Sequence, residues 1–405
     1  MYPSDTYETH MRHGTGNSLQ VILKVAERCN IACTYCYFFF GGDDSFKDNP
    51  AYISEETTEH FVRFVANARR DYSLERIRII LHGGEPLLLK KPRMRKLLEG
   101  LKEAAGDTVL RLTVQTNAML IDEEWIQLFE EFNVYVGVSL DGPDYLNDRY
   151  RLDKSGKGTY DRVMKGVRLL FEAHAQGRIE RPGLLSVMNP EFPAATIYQH
   201  FVEEIGFRNI DFLLPDDHHD SMTDERRATF VDYVRELVGL YLREERPDVH
   251  FRLIDKALVS FNMAPFFYSV LHRFATQKEV TVTVNSAGDI APDDILRTTD
   301  PELMNTGLNV ATHSLEDVLK SPELNRLQDD FYKIPTGCQN CDWVQVCRGG
   351  ELYHRYSSER GFDNPSVYCD ALKVLHEEAA TAHLMAGRTV ESLQKRLETS
   401  PLEVY

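Results

Sequence analysis

This sequence of 405 residues contains no long apolar run: nothing approaches the about 18 to 20 unbroken apolar residues that span a bilayer, and the polar start Met1 to Asn17 lacks the apolar stretch of a secretory signal. No membrane partner is expected, and a cytoplasmic location is. Positive charge is also scarce. Lys plus Arg number 46 against 63 for Asp plus Glu, a formal net charge of −17, which disfavours nucleic-acid phosphates and anionic lipid as partners. Cysteine is sparse: seven residues are too few to staple a chain of this length, and an odd count in a reducing compartment points to metal or redox chemistry. There is no internal repeat and no low-complexity tract. The hydrophobic content, 42%, suffices for one large core or two to three ordinary domains.

Aliphatic and β-branched runs predict six strands, at Leu19 to Val25, Ile77 to Leu81, Leu110 to Gln115, Val134 to Leu140, Leu184 to Met188 and Ile210 to Leu214. Each is followed by a helical pattern, over Ser54 to Tyr72, Pro92 to Ala105, Asp122 to Phe132, Thr159 to Gln176, Ala194 to Ile205 and Thr223 to Arg246. Ser54, Asp122 and Thr223 are suited to cap free amides, and Pro92 to a first helical turn. Such alternation implies parallel strands joined by right-handed crossovers, so the expected fold is α/β, a partial (β/α)6 barrel resembling a TIM barrel, with reactive groups at the carboxyl ends of its strands. The expected divisions are an N-terminal extension over 1–18, the barrel over 19–246, a bridging region with a hairpin at Val280 to Asn285 and Gly288 to Ile290 over 247–334, and a Cys-rich segment with a last helix, Ala371 to Leu397, over 335–405. Pro335 to Asp370 is too poor in periodic apolar residues to hold itself by burial, and so needs another staple.

Cys29, Cys33 and Cys36 form C-x3-C-x2-C directly after the first strand. Zinc would need a fourth ligand that is not nearby, and buried structural thiols are the plain alternative; three thiolates suit an iron–sulfur cluster. A four-iron cluster so held leaves one iron open to a small molecule. This motif resembles that of the radical S-adenosylmethionine (SAM) superfamily, and the likeness extends over the barrel. It implies that the open iron chelates SAM, and that reductive cleavage yields a 5′-deoxyadenosyl radical. By the same resemblance Gly83, Gly84 and Glu85 in His82-Gly-Gly-Glu-Pro86 would receive the SAM ammonium, Asn117 and Ser139 would lie at successive strand ends around the cofactor, Ser139 and Arg151 would bind its carboxylate, and Tyr35 would pack on the adenine. Read alone, His82 is a hydrogen-bonded strand-end histidine.

Cys338, Cys341, Cys347 and Cys369 read C-x2-C-x5-C-x21-C, a complete set of four ligands in the segment that lacks a core. Spacing alone allows a four-thiolate zinc site. The pattern is similar to the second auxiliary cluster of SPASM domains, C-terminal extensions of peptide-modifying radical SAM enzymes, and implies a closed four-iron cluster that moves electrons. Cysteines for a further auxiliary cluster are missing: the hairpin reads Gly288-Asp-Ile-Ala-Pro-Asp293, and Glu351 stands where another ligand would lie. Two [4Fe-4S] clusters are therefore expected. The vacated hairpin carries Asp293 and Asp294, candidate bases or plain turn acids. Asp216 to Asp220, including His218 and His219, lack helical metal-ligand spacing, though Asp217 or His218 could meet substrate at the barrel top.

The stretches Gly349 to Tyr356, Gly361 to Cys369, Leu213 to His219 and Asn147 to Arg151 resemble one subgroup of SPASM-type enzymes, the maturases that form cyclophanes in ribosomally made peptides. The resemblance implies an oxidoreductase that joins an aromatic ring carbon to a side-chain β-carbon of a precursor peptide, supplied with electrons by a flavodoxin or ferredoxin. The alternatives are a thioether or ether cross-link, oxidation of a Ser or Cys side chain, or a nonenzymatic iron–sulfur or zinc protein. With 18 residues before the first strand and 36 after Cys369, no winged-helix leader-binding domain is expected.

Overall fold

The computed structural model describes residues 17–244, 246–262 and 279–399, and shows an α/β fold with mostly parallel strands. All six predicted strands form within two residues of their expected ends: Ser18–Ala26, Arg76–Gly83, Val109–Thr116, Val134–Ser139, Gly183–Val187 and Asn209–Leu213. In the first of them Leu19, Val21, Leu23 and Val25 on one face are fully buried, and Gln20 and Lys24 on the other are buried too, as a parallel strand covered on both faces requires. Helix starts follow the capping chemistry. Ser54 Oγ accepts from the Thr57 amide at 2.9 Å, Asp122 Oδ1 from Trp125 at 2.9 Å and Thr223 Oγ1 from Arg226 at 3.3 Å, opening the helices Glu55–Tyr72, Glu123–Phe132 and Asp224–Arg243. Each such cap contributes about 1 kcal/mol. No helix among the described residues is long and apolar enough to cross a membrane.

The described residues fall into two compact units. The first draws on 17–185 and 279–326, and its strands lie in the order 308–309, 289–291, 279–284, 18–26, 76–83, 109–116, 134–139, with 183–185 beside the last. The hairpin expected in a bridging region thus belongs to this sheet. Glu279–Val284 runs parallel to the first strand, Val282 opposite Val21 and Val284 opposite Leu23, because its alternating valines continue the same apolar face.

The second unit draws on 186–244, 246–262 and 327–399. In it Asn209–Leu213 pairs in parallel with His250–Phe251, and the helices Asp224–Arg243 and Arg252–Ser260 pack against Cys369–Met385. The expected divisions after residues 18, 246 and 334 do not mark these units. Two helices also differ from expectation. Ala194–Tyr198 widens into a π turn over Gln199–Ile205, and the single helix expected over 371–397 is two, Cys369–Met385 and Val390–Glu398, separated where Gly387 takes φ +92°.

Candidate functional site

In the first unit the three-cysteine loop follows the first strand. Ile31–Cys33 pairs antiparallel with Arg151–Asp153, setting Cys33 opposite Arg151. Cys29 and Cys33 are buried and Cys36 half-buried. Cys29 and Cys33 lie in one buried cluster and Cys36 packs against it; burial pushes the Cys29 thiol up to about 12, and the charges of Glu85, Cys33 and Cys36 add to the rise. Thiols so disfavoured as free anions are ones that a metal would deprotonate.

The glycines of the turn have a local purpose. Gly83 has φ +133°, and a Cβ there would lie 2.1 Å from the Ala26 carbonyl; a Cβ on Gly84 would lie 2.6 Å from the Arg28 carbonyl. The turn therefore lies against the cysteine loop itself, with Gly84 N donating to Ala26 O and Glu85 N to Arg28 O, both at 2.9 Å. The Glu85 side chain is fully buried. Its Oε1 accepts from Leu87 N at 3.0 Å and Thr116 Oγ1 at 2.8 Å, and its Oε2 from Asn117 N at 2.8 Å. Of a carboxylate's about four acceptor positions, one remains for a ligand ammonium. Asn117 Nδ2 reaches Asn30 Oδ1 at 2.8 Å and Cys29 Sγ at 3.9 Å.

Ser139 accepts from Gln115 Nε2 at 2.8 Å, and Arg151 donates to the Tyr35 hydroxyl at 2.9 Å, with Asp141 3.7 Å away. Tyr35 in turn donates to Asp141. The buried Nε of Arg151 has no partner, an orphaned donor of the kind a carboxylate ligand would satisfy. The three thiols, the remaining Glu85 acceptor position and this donor together fit a three-thiolate cluster with an amino-acid ligand.

The two expected acids have different surroundings. Asp293 is exposed and caps the short helix Asp294–Thr298, its Oδ1 accepting from Ile295 N at 3.4 Å. Asp294 is buried, 2% exposed, and accepts from Lys24, from the Tyr37 hydroxyl at 2.7 Å and from Arg297 Nη2 at 2.6 Å. Burial favours its neutral form, but the Lys24 and Arg297 charges outweigh this and hold its carboxyl well below the usual range. Arg297 also pairs with buried Asp43 at 2.7 Å, and Lys24 Nζ lies 3.1 Å from His82 Nδ1. Burial, then the Lys24 charge, pull His82 down to about 3, so it is neutral. Lys24, Tyr37, Arg297 and Asp43 were not singled out from the sequence, although a lysine inside the apolar strand Leu19 to Val25 was a visible signal.

In the second unit the four later cysteines come together. Burial and the charges of Cys369 and Cys341 raise Cys338 to about 11; burial with Cys369, Cys338 and Cys341 raises Cys347 to about 12. Among the described residues no three His, Cys, Asp or Glu side chains close on a single metal ion. The surrounding loop is held by polar side chains. Asn364 Nδ2 donates to the carbonyls of Arg355 at 2.9 Å and Gly361 at 3.1 Å, and Tyr368, next to Cys369, donates to Asp217 Oδ2 at 2.9 Å. Asp217 also pairs with Arg226 at 2.9 Å, so it fastens this loop, while the His218 ring lies against Tyr356 and His219 Nε2 contacts the Pro365 carbonyl at 2.8 Å.

Residues 23–180 match the model of the Radical SAM superfamily. A serine-type anaerobic sulfatase-maturating enzyme of Bacteroides thetaiotaomicron is 26% identical over 358 residues, 84% of this chain and 84% of that protein. A cysteine-type enzyme of the same name from Clostridium novyi is 22% identical over 395 residues, 92% of this chain and 98% of that protein. The solved structure of native anSMEcpe with bound AdoMet and a Kp18Cys peptide aligns with a TM-score of 0.74 at 20% identity, over 91% of this chain and 99% of that one. Fold and cysteine loop thus define a radical SAM domain over residues 23–180. The chain is an enzyme that carries this domain, and its cofactors are [4Fe-4S] clusters and SAM.

Proposed function

We propose that this enzyme oxidises a peptide side chain by two electrons, closing a carbon–carbon bond between an aromatic ring and a nearby β-carbon to form a cyclophane in a ribosomally made precursor peptide. The peptide is supported by the names of the relatives and by the peptide in the aligned structure. The ring rests on the likeness of the 349–369 and 147–151 stretches to cyclophane-forming maturases. Cys29, Cys33 and Cys36 would hold the SAM-binding cluster, with Gly83, Gly84, Glu85, Asn117, Ser139, Arg151 and Tyr35 around the cofactor. Cys338, Cys341, Cys347 and Cys369 would hold the second cluster. When bound, these groups supply a 5′-deoxyadenosyl radical and a sink for one electron.

The observation that carries the reading is Asp294, an ionised, buried carboxylate that accepts a hydrogen bond from the hydroxyl of Tyr37, the residue beside Cys36. After the β-carbon loses a hydrogen atom and adds to the ring, rearomatisation releases one electron and one proton. An oxidised ring adduct is a strong acid, so even a carboxylate of depressed basicity can take that proton. Between the two acids the assignment falls on Asp294, because Asp293 is a solvated cap. Reducing electrons would come from a flavodoxin or ferredoxin.

A second reading, oxidation of a Ser or Cys side chain, is favoured by the relatives' names and needs the same removal of a hydrogen atom, a proton and an electron. Mass analysis of a small precursor peptide encoded beside the gene, co-expressed anaerobically with the enzyme and with Cys33→Ala, separates the two. Loss of two hydrogens with fragment ions missing inside an aromatic-containing stretch is the expected result. A product that instead reacts with a hydrazide, as an aldehyde does, overturns the ring and supports the second reading.

A further inference from the structure

Arg355 is 1% exposed and carries a full charge that no carboxylate neutralises: among the described residues none lies within ion-pair distance of it. Its guanidinium is bound by carbonyl oxygens, Nε to Phe362 at 3.0 Å and Nη2 to Phe362, Asp330 and Lys333 at 2.9, 3.0 and 3.2 Å, with Phe331 3.5 Å from Nη1. Carbonyl dipoles satisfy its donors but leave its charge in place, and a buried cation without an anion is costly. Its stem lies against the turns that carry the cysteines: a Cβ on Gly349, two residues after Cys347, would lie 3.6 Å from Arg355 Cδ and 2.9 Å from the Pro335 ring, and the Pro335 carbonyl accepts from Cys338 N at 2.8 Å.

We propose that Arg355 is the counter-ion of the second cluster and raises its reduction potential. A four-iron cluster on four thiolates is an anion that gains a further negative charge on reduction, so a fixed neighbouring cation stabilises the reduced form. That suits a site whose task is to accept an electron from an oxidised substrate. The inference rests on reading the four later cysteines as cluster ligands. Iron and zinc counts on the wild-type enzyme test that reading separately: about eight irons support it, and about four irons with one zinc remove it and this proposal together.

The test is an EPR-monitored redox titration of the cluster-loaded enzyme with SAM present, which shifts the signal of the first cluster and so separates the two. Arg355→Gln is expected to lower the midpoint of the second cluster by about 59 mV, a tenfold change in the ratio of reduced to oxidised for a one-electron couple. Arg355→Lys, which keeps the charge and loses the planar fork, is expected to stay within threefold of wild type. A Gln variant with full iron content and an unchanged midpoint overturns the proposal. Should the Gln variant take up no iron at the second site, the Lys variant decides: an unchanged midpoint supports the role of charge, and a tenfold fall assigns Arg355 to scaffolding and overturns it.

Discussion

Lys24 shows how much of the site depends on one residue. It is fully buried in a largely aliphatic strand, and it faces Asp294, which lies 270 positions later in the chain. Burial pulls its pKa down, and the Asp294 charge opposes that pull. Stranding a buried charge costs about 3–5 kcal/mol, but Asp294 keeps Arg297 at 2.6 Å, so Lys24→Ala is expected to lower stability in urea melts by less than that. The pair also sets an acid limit. The Asp294 carboxyl is depressed in the folded chain and ordinary, about 3.9, in the unfolded one, so its contribution is complete above that pH and is lost as the pH falls further toward the folded value. Asp294→Asn is therefore expected to lose stability at pH 7 and to show a shallower decline than wild type below about pH 4. An equally steep acid decline in the variant would show that other carboxylates govern it. If Asp294 is also the base, the same variant loses the peptide product, while Asp293→Asn keeps it.

At the scale of elements, most of the first unit was legible because its strands are runs of aliphatic residues and its helices carry side-chain caps. The turn after the second long strand was legible as a glycine site, but not for the right neighbour: a sequence cannot show that Gly83 and Gly84 press on the carbonyls of Ala26 and Arg28. That contact predicts a selective defect. Gly83→Ala would place a Cβ against backbone at a positive φ, a strain of about 1–3 kcal/mol in the turn that supports the cysteine loop. Iron content is expected to fall by about half, with the first site lost and the second kept; unchanged iron would mean that the loop adapts. The hairpin was read correctly as a hairpin and placed in the wrong company. Pairing of Glu279–Val284 with the first strand is a contact between residues some 260 positions apart, which local periodicity does not encode. The break in the last helical pattern was marked in the sequence by Gly387 and by Thr389, whose side chain caps the next helix by accepting from Ser392 N.

For the whole molecule the chain places two sets of cysteines in two compact units, each with its own buried arginine beside the thiols: Arg151 near Cys33, and Arg355 near Cys338. The cysteine spacings announced both sets, whereas neither arginine could be matched to its sulfur without the fold. If the first set generates the radical and the second takes the electron, the two halves of the reaction are separable by mutation. Cys33→Ala is expected to abolish both 5′-deoxyadenosine formation and the peptide product. Cys338→Ala with Cys341→Ala, which removes half of the second ligand set, is expected to leave cofactor cleavage within a few-fold of wild type while the two-hydrogen product falls by about 100-fold, roughly 2.7 kcal/mol of lost coupling. Chromatography of 5′-deoxyadenosine beside the peptide mass reads both at once. Cleavage lost together with product would make the second set a support for the radical step itself, and product kept at the wild-type level would remove it from the reaction.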